Sequence, residues 1–170
     1  TQSVKLTASD GAASDRFGGS VSLSGSIGLV GALWDNIGAN VQQGSAYVFR
    51  SLNTATGTIT QNVKLTASDG AANDLFGYSV SQSGSVGLVG ASQDDIGANG
   101  NQGSAYVFRS LNTATGTITQ NVKLTASDGA ANDEFGASVS LSGSIGLVGA
   151  SRDDIGANPD QGSAYVFRSL

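Results

Sequence analysis

The sequence predicts an all-β fold of stacked four-stranded sheets, three blades of a β-propeller in one 170-residue domain. Three observations carry this expectation. One unit recurs without insertion: Val4, Val63 and Val122 are spaced 59 residues apart, as are Phe17, Phe76 and Phe135, and Tyr47, Tyr106 and Tyr165. Within each unit, short runs either alternate apolar and polar residues or are wholly apolar, the signature of half-buried and fully buried strands. The 25 glycines fall largely between those runs, where tight turns need them.

The elements follow in order. Phe17 to Leu23 places Phe17, Val21 and Leu23 on one face, and Gly18, Ser20 and Ser22 on the other. Ser24-Gly25-Ser26 is a turn. Ile27 to Ala32 is an apolar run with both faces buried. A polar loop spans Trp34 to Gln43, and Ser45 to Phe49 forms a third strand ending at Arg50 on a solvated rim. Asn53 to Gly57 is a turn, and Thr58 to Ala67 reads as one fourth strand with Ile59, Val63 and Leu65 on one face. Asp69-Gly70 opens the passage to the next unit. The first strand is expected nearest the propeller axis, where Gly18, Gly19 and Ser20 suit the crowding.

Such a sheet has two apolar faces and hides neither alone; stacking hides both. Three blades are fewer than the four to eight of single-ring propellers. An open stack exposes two apolar faces of about 500 Å² each, worth up to ~12 kcal/mol per face. The expected remedy is a homodimer closing a six-bladed ring. The chain opens on a fourth strand, residues 3–9, and finishes just after a third, so the N-terminal strand is expected to complete the blade ending at residue 170. Opening mid-repeat, it reads as an excerpt or a processed product.

Composition narrows the function classes. Eight basic residues face thirteen acidic ones, for a net charge of −5, which argues against nucleic acid as a partner. No stretch is long and apolar enough to predict membrane insertion as a helix. Histidine and cysteine are absent, which removes the common catalytic triads, thiol nucleophiles and the usual zinc ligands. A glycosidase needs two carboxylates in differing environments, and three equivalent acid pairs do not supply that asymmetry. No enzyme is predicted.

The segments Asp69 to Val80, Gly87 to Ala91 and Gly103 to Phe108 resemble the FG-GAP repeat, the blade unit of integrin α propellers and of many bacterial surface proteins. The Phe-Gly pair stands at Phe17-Gly18, Phe76-Gly77 and Phe135-Gly136, and the Gly-Ala pair at Gly31-Ala32, Gly90-Ala91 and Gly149-Ala150, without the usual following proline. The resemblance covers essentially the whole chain. It implies an integrin-like propeller and an extracellular or cell-surface location, in a bacterium. The calcium loop of that family, rich in aspartates, is replaced by Leu23 to Ser26, Gln82 to Ser85 and Leu141 to Ser144, which hold no carboxylate. No cofactor is therefore expected, with calcium left open.

Candidate binding residues lie in the polar loops: Asp35, the pair Asp94-Asp95, the pair Asp153-Asp154, and Trp34, the only tryptophan. The acids form a cation or sugar site, or they bond backbone amides within a long turn, the favoured reading. Trp34 anchors a sugar or protein partner, or fills a gap in one blade. Asp69 and Asp74, with Asp10/Asp15 and Asp128/Asp133, bracket a metal with backbone carbonyls, or, the favoured reading, Asp69 caps its turn and Asp74 bonds loop amides. Differences between copies are few, notably Arg16/Leu75/Glu134, Gly19/Tyr78/Ala137 and Leu23/Gln82/Leu141. The expected function is non-catalytic extracellular recognition or adhesion, with a lectin and a ligand-free symmetric or engineered repeat as alternatives.

Overall fold

The computed structural model describes residues 1–170 and contains fourteen strands and no helix. They are β1 (Val4–Thr7), β2 (Phe17–Ser24), β3 (Ile27–Ala32), β4 (Ser45–Phe49), β5 (Gly57–Thr60), β6 (Val63–Thr66), β7 (Phe76–Ser83), β8 (Val86–Ala91), β9 (Ser104–Phe108), β10 (Gly116–Thr119), β11 (Val122–Leu124), β12 (Phe135–Ser142), β13 (Ile145–Ala150) and β14 (Ser163–Arg168). They form sheets ordered β10-β6-β4-β3-β2, β11-β9-β8-β7 and β12-β13-β14, plus a two-stranded pair, β1-β5. The three larger sheets stack face to face in a propeller-like arrangement.

The expected fourth strand is two strands. Gln61 and Asn62 break it and anchor its halves differently. The Gln61 side chain bonds Ser9 beyond β1, while Asn62 bonds the backbone at Arg50 and Val48 beside β4. Thus β6 pairs antiparallel with β4 of its own repeat, whereas β5 reaches backwards and pairs parallel with β1. The same crossing places β10 parallel to β6, so the first blade has five strands. The last blade has three, not four: β1 lies on β5, and β14 keeps an unpaired edge within the chain.

The two faces of each blade differ. One carries Phe76, Val80, Val89, Tyr106 and Phe108 in the second blade; the other carries Leu29, Ala46, Val48 and Leu65 in the first. These two faces meet in one core cluster. The next seam repeats it with Leu88 and Val107 against Phe135, Leu141 and Val148. Within a blade, the Phe76 ring packs 5.4 Å from Tyr106 and 5.9 Å from Phe108, centroid to centroid.

Gly31 and Gly77 meet at the first seam and Gly90 and Gly136 at the second, whereas Gly18 and Gly149 face no other blade within the chain. Gly18, Gly77 and Gly136 lie in bulges where the register shifts. Gly77 has φ +88°, and a Cβ there would lie 2.3 Å from the Ser45 carbonyl oxygen of the preceding blade. Opposite it, a Cβ on Gly31 would lie 2.1 Å from the Gly77 carbonyl oxygen, which also accepts a bond from Ser20 Oγ at 2.8 Å. The glycines of the first strand therefore serve close approach between blades.

One seam residue departs from its equivalents. Gln82 is buried where Leu23 and Leu141 stand in the other copies, and its Oε1 has no partner. An unpaired buried carbonyl costs about 1–3 kcal/mol. Gln82→Leu is expected to raise the melting temperature by about 3 °C, on the scale of ~2–4 °C per kcal/mol for a chain of this size. Thermal unfolding followed by circular dichroism checks this.

Candidate functional site

The loops between the second and third strands of each repeat bring the predicted acids to one end of the stack. Asp35, Asp94 and Asp153 are buried. Ser45 Oγ donates to Asp35 Oδ2 at 2.6 Å, and the Tyr47 hydroxyl lies 3.0 Å from that oxygen and 3.1 Å from Asp10 Oδ1. Lys64 Nζ sits between the two acids, 2.5 Å from Asp10 and 2.7 Å from Asp35. The second repeat builds the same site with Lys123 at 2.6 Å from Asp69 and 2.7 Å from Asp94, beside Tyr106 and Ser104. Asp69 thus reaches across to Tyr106 and Lys123.

Electrostatics follow from this packing. Burial pushes the Asp10 and Asp69 carboxyls up, but the adjacent ammonium outweighs it and holds both below the usual carboxylate range. Burial disfavours the charged lysines, yet their paired carboxylates raise Lys64 and Lys123 above the ordinary lysine value. Tyr47 and Tyr106 are raised chiefly by burial. Each site is an ionic knot that ties the loop, the third strand and the strand after it together, and a pocket of about 310 Å³ opens beside the first, lined by Asp10, Gln61 and Lys64 among others.

The third repeat lacks the cation. Tyr165 contacts Asp128 at 3.0 Å and Asp153 at 3.1 Å, with no lysine beside them, and Ser163 Oγ is buried without a partner. Burial and the two acids raise Tyr165 to about 12.

The second acids of the pairs behave differently. Asp95 and Asp154 are exposed and accept the Asn101 and Asp160 N–H groups, six residues on, at 2.8 and 2.7 Å, bracing the loop. Asn36 does the same for Gln42. Asp74 accepts the Ala71 N–H at 2.6 Å and is pushed up to about 6, first by burial and then by the charges of Asp94 and Asp95. No cluster of three or more acids has the geometry to hold a metal ion.

Trp34 is half-buried, and the Arg16 guanidinium lies 3.5 Å over its ring. The equivalent pair in the third repeat is Glu134–Arg152, at 3.2 Å, with Arg152 also 3.1 Å from Asp160. Variable positions also touch between repeats: the Asn73 N–H donates to Val41 O at 2.9 Å, and Asn101 Nδ2 to Asn132 Oδ1 at 3.1 Å. Most of the positions at which the copies differ therefore line one rim across all three blades, Leu23/Gln82/Leu141 being an exception at the seams. A shallow pocket of about 440 Å³ opens there, lined by Asn132, Arg152, Asp154, Pro159 and Asp160.

Sequence reasoning missed the lysine–tyrosine–serine part of the ionic knot. The signal was a lysine in the middle of Val-Lys-Leu-Thr, a strand whose neighbours are buried, since a lysine so placed needs a counter-charge. Arg50, expected on a solvated rim, is instead half-buried, and its guanidinium bonds the Leu111 and Ala114 carbonyls of the next repeat.

Comparison with known proteins matches the family model described as FG-GAP repeat to residues 1–49, 59–108 and 118–167. No curated protein matches the chain.

Proposed function

The chain belongs to the FG-GAP repeat family, and on that premise we propose that it is a non-catalytic recognition or adhesion module, displayed at a bacterial surface, that binds its partner along the variable rim. One observation carries this reading. The copies share nearly all their buried framework, while most of their differences gather at one end, joined from blade to blade through Val41–Asn73 and Asn101–Asn132. Loops on a rigid scaffold are where binding residues concentrate. One variable residue, Arg16, Leu75 or Glu134, holds a φ of +55° to +58° in every copy, a strained backbone that fixes where its side chain leaves the rim.

A polar protein partner suits the rim better than a sugar. A sugar-stacking tryptophan offers a bare face, whereas Arg16 covers one face of Trp34. The near-identity of the repeats favours a second reading, a symmetric structural repeat with no ligand.

The test is binding of the purified chain to immobilised extracellular-matrix proteins and to a glycan array. Arg152→Ala and Trp34→Ala serve as rim variants, and Ser26→Ala, at the opposite end, as the control. Protein binding weakened about tenfold by a rim variant and unchanged by Ser26→Ala is the expected result. Glycan binding abolished by Trp34→Ala would make the chain a lectin. Binding indifferent to both rim variants, or none at all, would overturn the assignment.

A further inference from the structure

We propose that two copies of this chain close into a six-bladed ring by exchanging β1, which joins the open edge of β14 in the second copy and brings Lys5 to its Asp128, Asp153 and Tyr165. The sheets are complementary. The β12-β13-β14 sheet has the three inner strands of a blade without the outer two, and β1-β5 has the outer two without the inner three. The first blade shows the joined form, with β6 on β4 and β10 on β6.

Register and charge agree with this joining. In the first blade Val63, Lys64 and Leu65 oppose Val48, Tyr47 and Ala46. Moved along by the repeat, the same register sets Val4, Lys5 and Leu6 opposite Val166, Tyr165 and Ala164. Lys5 is exposed and unpaired in the chain, while the third acid site has two carboxylates, an unpartnered serine hydroxyl and no cation. Lys5 would stand there as Lys64 and Lys123 stand in their sites.

The outer faces match too. On the third blade Leu147 is 46% and Val166 51% exposed, though their equivalents Leu88 and Val107 are fully buried. On the first blade Val21 is 69% and Leu23 67% exposed, against 9% for Val80 and 7% for Leu141. These are the two halves of a seam that the chain builds twice internally. A chain cannot close on its own β1, which packs Leu6 and Ala8 onto the Phe17 side of the first blade, at the other end of the stack from β14. Two copies related by a two-fold axis satisfy both ends at once. The closure is independent of what the rim binds.

Light scattering at micromolar concentration tests it with two variants. Lys5→Glu sets a third carboxylate against two others and is expected to raise the dimer dissociation constant about a hundredfold. In Gly149→Ala the new Cβ meets only the Ser138 side chain, which can rotate, so the chain folds. In the ring it would strike the bulge carbonyl of the second copy, as a Cβ on Gly90 would strike Gly136. The expected wild-type mass is about 34 kDa, twice 16.9 kDa, with both variants monomeric and still melting cooperatively. A wild-type monomer, a mass that keeps rising with concentration, or dimeric variants would overturn the proposal.

Discussion

Gly90→Ala is expected to lower the melting temperature by about 10 °C. Its Cβ would lie 2.0 Å from the Gly136 carbonyl oxygen and 2.9 Å from the carbonyl carbon, and both are backbone atoms that cannot turn aside. It would also intrude on Ser79 Oγ, which bonds the same Gly136 oxygen at 2.7 Å. Relief requires the second and third blades to separate, which opens the cluster around Leu88, Phe135 and Leu141. Overpacking typically costs about 1–3 kcal/mol; with a rigid backbone partner the upper end applies, and ~2–4 °C per kcal/mol converts it. Calorimetry of the variant beside Gly149→Ala, both on the Lys5→Glu background that keeps the chain monomeric, isolates the cause. The two substitutions are chemically identical, and only the first meets another blade inside the chain. Equal losses in the two would contradict the seam as described.

Lys64→Met is expected to cost about 3 kcal/mol, since removing one member of a buried ion pair leaves uncompensated charge. Asp35 is 5% exposed and would keep only Ser45 and Tyr47 as partners. The pH profile supplies a second readout. The Asp10 carboxyl is held below its ordinary value in the fold by Lys64, so its stabilising contribution is present above about pH 4 and is lost as pH falls through the depressed value. The raised Lys64 contributes below its unfolded value near 10.5, and that contribution is lost as pH rises through the folded one. Wild type should hold a stability plateau between those limits. Lys64→Met should flatten the acid side, and adding Asp35→Asn should restore part of the loss in a double-mutant cycle. Urea unfolding from pH 3 to pH 10 follows the acid side, the plateau and the double-mutant cycle.

Much of the fold was legible because strand periodicity is local. Phe17 to Leu23, Ile27 to Ala32 and Ser45 to Phe49 became β2, β3 and β4 close to the expected bounds. The turn role was legible for Asp95 and Asp154, which accept backbone amides six residues on, whereas Asp35, Asp94 and Asp153, expected to do the same, bond serine, tyrosine or lysine side chains. The split between β5 and β6 was not. Ile59, Val63 and Leu65 keep one parity across Gln61-Asn62, so alternation alone cannot reveal that the chain changes sheets there. The ionic knot was hidden for a different reason. Asp10, Asp35 and Lys64 are far apart in the chain and meet only once the blade and its preceding loop are folded, and a lone lysine in a short strand reads equally as a solvent-facing residue. The glycines of the first strand were assigned to crowding, and Gly77 shows where it arises, against Ser45 and Gly31 of the blade before it.

The most direct measurement is amide hydrogen exchange across β14, with β4 and β9 as internal standards. Both standards are buried throughout and paired on both sides, whereas β14 alternates between exposed and half-buried residues and has one free edge in the single chain. If a second copy supplies β1, Ser163 to Arg168 should be protected as strongly as β4 and β9 at micromolar concentration, and lose that protection on dilution while β4 and β9 keep theirs. Fast exchange in β14 at every concentration would contradict ring closure by strand exchange.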